Sequence, residues 1–166
     1  INRYMCLMIM INALKVEQNI GMTKGDAPTM SDQITHHEAL IYVMVTMSAV
    51  DREINNEELA RIGTLVNNMP IFRDFDVEKL VKTSTSVGEM LGQEGGLDTV
   101  LSTVAACLPK KLYETAYALA VEIAAADLDI KQEELRFLQM LRDTLNLDRL
   151  TTAAIEVGAR ARHRLL

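Results

Sequence analysis

From His36 onward the apolar residues recur three and four positions apart, and Leu40, Val43, Met44, Met47 and Val50 place one apolar stripe on one helix face. A polar stretch at residues 51–55 predicts a turn, after which Leu59, Ile62, Leu65 and Val66 form the inward face of a second helix that ends near Asn67, Asn68 and Pro70. Asp76 is placed to cap a third helix carrying Leu80, Val81, Val87 and Leu91, which Gly92 closes. Gly95 and Gly96 mark a flexible turn before a fourth helix at about 97–108, and Pro109 ends that helix and opens the next. A fifth helix is expected at about 110–126, a sixth at about 132–145, and a seventh from an Asp148 cap toward Arg160. Since no period-two alternation survives, the expected fold is all-α: a single-domain bundle of about seven helices.

The chain repeats itself internally. Sliding it along its own length superposes Asp51 on Asp127, Glu53 on Asp129, Ile54 on Ile130, Glu57 and Glu58 on Glu133 and Glu134, and Leu59 on Leu135. Core positions follow the same shift, Leu40 and Val43 falling on Ala116 and Leu119, and Ile62 and Leu65 on Leu138 and Leu141. The domain therefore contains two pseudosymmetric helical hairpins, each an apolar helix, an acidic turn and a helix opened by two glutamates. In each turn the isoleucine is expected to plug into the core while the acids stay outside. Asn55 with Glu58 forms a capping-box pattern, and Lys131 stands where the second copy would have that cap.

Acids in a first helical turn complement the helix dipole without any ligand, which accounts for part of this pattern. Were both turns to lie at one end of the bundle, however, Asp51, Glu53, Glu57, Glu58, Asp127, Asp129, Glu133 and Glu134 would gather there. Two carboxylates about 6 Å apart repel by about 0.7 kcal/mol in water and by nearly 3 kcal/mol at an effective dielectric of about 20, so a tight cluster favours a cation. Such hard oxygen donors point to Ca²⁺, Mg²⁺ or Mn²⁺. A standard calcium loop is excluded, because Asn56 stands where the loop from Asp51 needs glycine, and Ile62 and Leu138 stand where the two loops need their final glutamate.

Composition narrows the function further. With 49% hydrophobic and 4% aromatic residues, no Trp and ten Met, the chain favours helices, and a formal charge of −6 argues against a nucleic-acid binder. Cys6 and Cys107 lie far apart among apolar neighbours, so neither a disulfide framework nor a cysteine metal site is expected. His36 and His37 lack a second ligand at helical spacing, and no phosphate loop, dinucleotide fingerprint or nucleophile elbow is present, so no enzymatic activity is expected. Arg160, Arg162 and Arg164 complement the C-terminus of the last helix, and an anionic partner or membrane surface is the sharper reading of them. Residues 1–30 are read as an extension, disordered or a non-native start, ahead of a domain at 31–166. The apolar run at 4–14 leaves two alternatives open, a membrane-touching anchor and an extra packed helix.

The two phrases from Ala49 to Glu58 and from Ala125 to Glu134 resemble the repeated signature of the tellurite-resistance TerB-like domains, with Asp51, Ile54 and Glu58, and Asp127, Ile130 and Glu134, at its positions. Arg52 and Leu128 stand where that signature has glycine. The resemblance implies a seven-helix fold with an acidic, metal-binding face. It further implies a bacterial stress-response role at the inner face of the membrane, in the company of other Ter-type proteins, and a cytoplasmic location. The alternative function is a metal-free helical adaptor that binds proteins through its acids, with or without membrane association.

Overall fold

A computed structural model describes residues 34–50, 56–126 and 130–164. Among them run seven α-helices: α1 (His36–Ala49), α2 (Asn56–Asn68), α3 (Lys79–Leu91), α4 (Gly96–Cys107), α5 (Tyr113–Ala125), α6 (Gln132–Thr144) and α7 (Arg149–Arg162). Short 3-10 turns at Pro70–Phe72 and Lys110–Leu112 precede α3 and α5, and no strand occurs among the described residues. The all-α bundle with its two hairpins, α1 to α2 and α5 to α6, is thus the fold expected.

Local chemistry explains most of the helix starts. The Thr35 hydroxyl accepts from the Glu38 N–H at 3.2 Å while the Glu38 carboxylate accepts from the Thr35 N–H at 2.8 Å, a reciprocal capping box that opens α1. Asp148 caps α7 as expected, its carboxylate accepting from the Thr151 N–H and hydroxyl, both at 2.8 Å. Asp76 behaves differently. Its carboxylate accepts from the Glu78 N–H at 3.1 Å in a preceding turn, and regular helix begins only at Lys79. Lys110 likewise belongs to a 3-10 turn behind Pro109, so α5 starts at Tyr113.

Two helices form the centre of the bundle. Every residue of α1 from 39 to 48 is buried, which corrects the expectation of a single stripe: the segment has no charged residue to make an outer face. In α5, Ala116, Tyr117, Leu119, Ala120, Val121, Ile123 and Ala124 are buried. These helices pack on each other; α2, α3 and α4 gather around α1, whereas α6 and α7 lie against α5. Each outer helix buries one face only, as Phe137, Leu138 and Leu141 do in α6. Full burial of a large aliphatic side chain contributes roughly 1.5–3 kcal/mol, so Leu40, Ile41, Met44 and Leu119 dominate cohesion at the centre.

Gly95 and Gly96 do more than provide a flexible turn. Gly95 adopts φ +69°, and a Cβ on Gly96 would run into the Met90 carbonyl oxygen, so this corner between α3 and α4 is closed by backbone contact. No described helix is long and apolar enough to cross a membrane.

Candidate functional site

Asp51, Glu53, Asp127 and Asp129 lie outside the described residues, and so do Ile54 and Asn55. The flanks of both turns are described. Val50, the residue after α1, and Glu133, in the first turn of α6, line the same cavity of about 280 Å³ together with Leu91, Leu97, Arg136 and Phe137. The exit of the first buried helix and the entry of the second amphipathic one therefore meet. The reason is packing: α1 sits against α5 and α4, and α6 contacts both of those helices.

The glutamates that open α2 and α6 divide into two kinds. Glu57 and Glu133 are exposed. Glu58 is only 8% exposed, and the Glu134 carboxylate accepts from the Lys131 N–H at 2.8 Å. That bond is the half of a capping box that needs no cap side chain, so a lysine at the cap position is compatible with a capped helix. Among the described residues no group of three His, Cys, Asp or Glu side chains comes together as metal ligands.

Ile130 corrects the sequence reading. It is 44% exposed and does not plug into the core, and Leu135, its neighbour one turn into α6, is 46% exposed. Phe137, Leu138 and Leu141 fill the core side of α6, leaving no interior position for either aliphatic chain.

Among the histidines and the arginine tail, His37, Arg162 and His163 have structural partners. Nε2 of His37 donates to the Ile71 carbonyl at 2.8 Å, and its ring lies 5.9 and 5.7 Å from the rings of Phe72 and Phe75, which pins the 3-10 turn to α1. Burial, with His37 and Lys111 close by, lowers the pKa of His36. Cys107 is half-buried and packs against the core.

On α5, Glu122 accepts from an Arg162 guanidinium nitrogen at 2.6 Å and pairs with Nε2 of His163 at 2.8 Å. Burial pushes the Glu122 carboxyl up, but the hydrogen bonds from Arg162 and His163 outweigh it and hold the group below its ordinary value. Sequence reading missed this anchor. Its signal was a carboxylate between Val121 and Ile123 in the otherwise apolar stretch 116–126. Nearby, the Tyr117 hydroxyl donates to Glu156 at 2.6 Å, and burial together with that acceptor raises the tyrosine pKa.

Two buried helices, each followed by an acidic stretch of sequence and a helix opened by paired glutamates, define a duplicated helical-hairpin module. The chain matches the family model described as Tellurite resistance protein TerB over residues 37–157, and it belongs to that family. The matched span runs from the start of α1 into α7 and takes in both acidic turns. No curated protein and no solved structure matches the chain.

Proposed function

We propose that this protein is a non-enzymatic TerB-type stress-response module that holds a divalent cation between its two acidic turns and docks onto protein partners through the same face. The observation that carries this reading is the cavity lined by both Val50 and Glu133, because it joins the chain just before one turn to the chain just after the other. Glu134 supports the start of α6, so the ligand set of this reading is Asp51, Glu53, Asp127 and Asp129, with the exposed Glu57 and Glu133 at its edge. The donors are all carboxylate oxygens, which fits Ca²⁺, Mg²⁺ or Mn²⁺, and a site at this end draws on residues 51–55 and 127–129. Bound there, the ion would relieve repulsion among the acids.

Calorimetry and thermal denaturation of the full chain with each ion test the reading. A site filled to about ten times its Kd adds roughly 1.4 kcal/mol of stability, and Asp51→Asn with Asp127→Asn should remove that gain. Absence of heat and of stabilisation at millimolar ion, or a response unchanged in the double variant, refutes cation binding. The metal-free adaptor is the second reading, favoured by the capping role of Glu134, which explains one duplicated acid of the repeat without an ion. It predicts that Glu57→Lys with Glu133→Lys abolishes partner capture while leaving any ion response unchanged. Docking of other Ter-type proteins at the inner face of the membrane, and a cytoplasmic location, belong to this proposal.

A further inference from the structure

Both α6 and α7 pack on α5, and between them lies a groove of about 700 Å³. Its floor is apolar, built from Val121 and Ala124 of α5 and Leu138 of α6, and the half-exposed Ile130 and Leu135 extend that surface to the rim. The charged part of the lining is mostly cationic: Arg142 of α6 and Arg160, His163 and Arg164 at the end of α7 stand against a single acid among the lining residues, Glu156, which already accepts the Tyr117 hydroxyl at 2.6 Å. Arg142 is paired with Asp143 at 3.0 Å, and His163 with Glu122 at 2.8 Å. Among the described residues Arg160 and Arg164 make no ion pair.

We propose that this groove binds a single-chain anionic amphiphile, an aliphatic carboxylate of the fatty-acid type, with its chain on the apolar floor and its head between Arg160 and Arg164. Charge selects the head. Arg160 and Arg164 stand one helical turn apart on α7, and Arg142 and His163 also line the groove against one acid, so a carboxylate is attracted where an ammonium is repelled. Arginine also suits the head geometrically, since its planar fork matches a carboxylate with two parallel hydrogen bonds.

Size selects the occupant. The cavity falls within the roughly 300–1,000 Å³ typical of small-molecule sites. Two turns of a helix about 10 Å across displace roughly 850 Å³, so a partner helix would fit only in part. On α6 the groove takes Leu135, Leu138 and Arg142 whereas the Glu133 cavity takes Arg136, Phe137 and Met140, opposite faces at helical spacing, and the inference stands independently of cation binding.

Titration of the full chain with laurate below its micelle concentration, followed by calorimetry, tests the proposal beside lauryl alcohol and laurylamine. Saturable binding of laurate is expected, with the alcohol and the amine each weaker by about tenfold or more. Arg160→Gln with Arg164→Gln should bring laurate down to the affinity of the alcohol. Leu135→Glu, at an exposed position that leaves the core untouched, should weaken both ligands, and thermal denaturation confirms that each variant is folded. Equal affinity for laurate and laurylamine, or laurate binding unchanged in the arginine double variant, overturns the proposal. So does sedimentation with phosphatidylglycerol vesicles in the absence of monomeric laurate binding, which would assign the groove to a membrane surface. Self-association abolished by Leu135→Glu, again without laurate binding, would assign it to a second copy of the chain.

Discussion

Thr46 sits in the last turns of α1, fully buried, and its hydroxyl has no hydrogen-bond partner among the described residues. A buried hydroxyl left unsatisfied costs about 1–3 kcal/mol relative to one that stays hydrated or paired. Thr46→Val keeps the branched shape and replaces the oxygen by a methyl group, so the packing around it needs no rearrangement. The expected outcome is a gain of about 1–2 kcal/mol, which for a domain of this size raises Tm by roughly 3–8 °C. Urea denaturation should show the midpoint moving up at constant m. Ser48, 5% exposed and likewise unpartnered, should give a smaller gain as Ser48→Ala, because the missing oxygen leaves a void there. Met44→Ala, one turn away on the same helix and fully buried, provides the opposite control with an expected loss of about 2–5 kcal/mol. A lower midpoint for Thr46→Val would refute the reasoning and mean that the hydroxyl is satisfied by a buried water. Both hydroxyls lie just ahead of residues 51–55, so an ion response retained in Thr46→Val would also place Thr46 outside any cation site.

Three further outcomes follow from particular contacts. Gly96→Ala drives a Cβ into the Met90 carbonyl and the Leu91 Cα, both backbone, and should cost about 1–3 kcal/mol by opening the corner between α3 and α4, read by urea denaturation. Glu134→Ala should destabilise by about 1 kcal/mol through loss of the Lys131 cap while Glu134→Gln retains most of it, a contrast visible in thermal melts. Because Glu122 is held below its ordinary value of 4.5, its contribution is fully present above that pH and is lost as pH falls through the lower folded value. Glu122→Gln should therefore flatten the acid limb of the stability profile below about pH 4.5, by at most about 1 kcal/mol given its exposure to solvent.

Hydrophobic periodicity and punctuation were enough to read the helices. Leu40, Val43 and Met47, and later Leu138 and Leu141, recur at helical spacing because only that spacing buries them together, and Asp148, Gly92 and Pro70 stop or start helices through their own backbone chemistry. The internal repeat was equally legible, since duplicated acids and duplicated core positions keep one offset. The family followed from that repeat.

What the chain's order could not supply was which faces remain open once the helices are assembled. Ile130 looks like a core residue from its neighbours, yet Phe137, Leu138 and Leu141 take the interior of α6 and leave Ile130 at the rim of a groove. Glu122 gives no local hint of a partner, because Arg162 and His163 come from α7, far along the chain. Val50 and Glu133 meet across one cavity only because two central helices bring separate hairpins together. Local preference is written residue by residue along the chain, whereas proximity between distant residues depends on how buried surfaces compete for the same interior, and that competition is resolved only in the packed bundle.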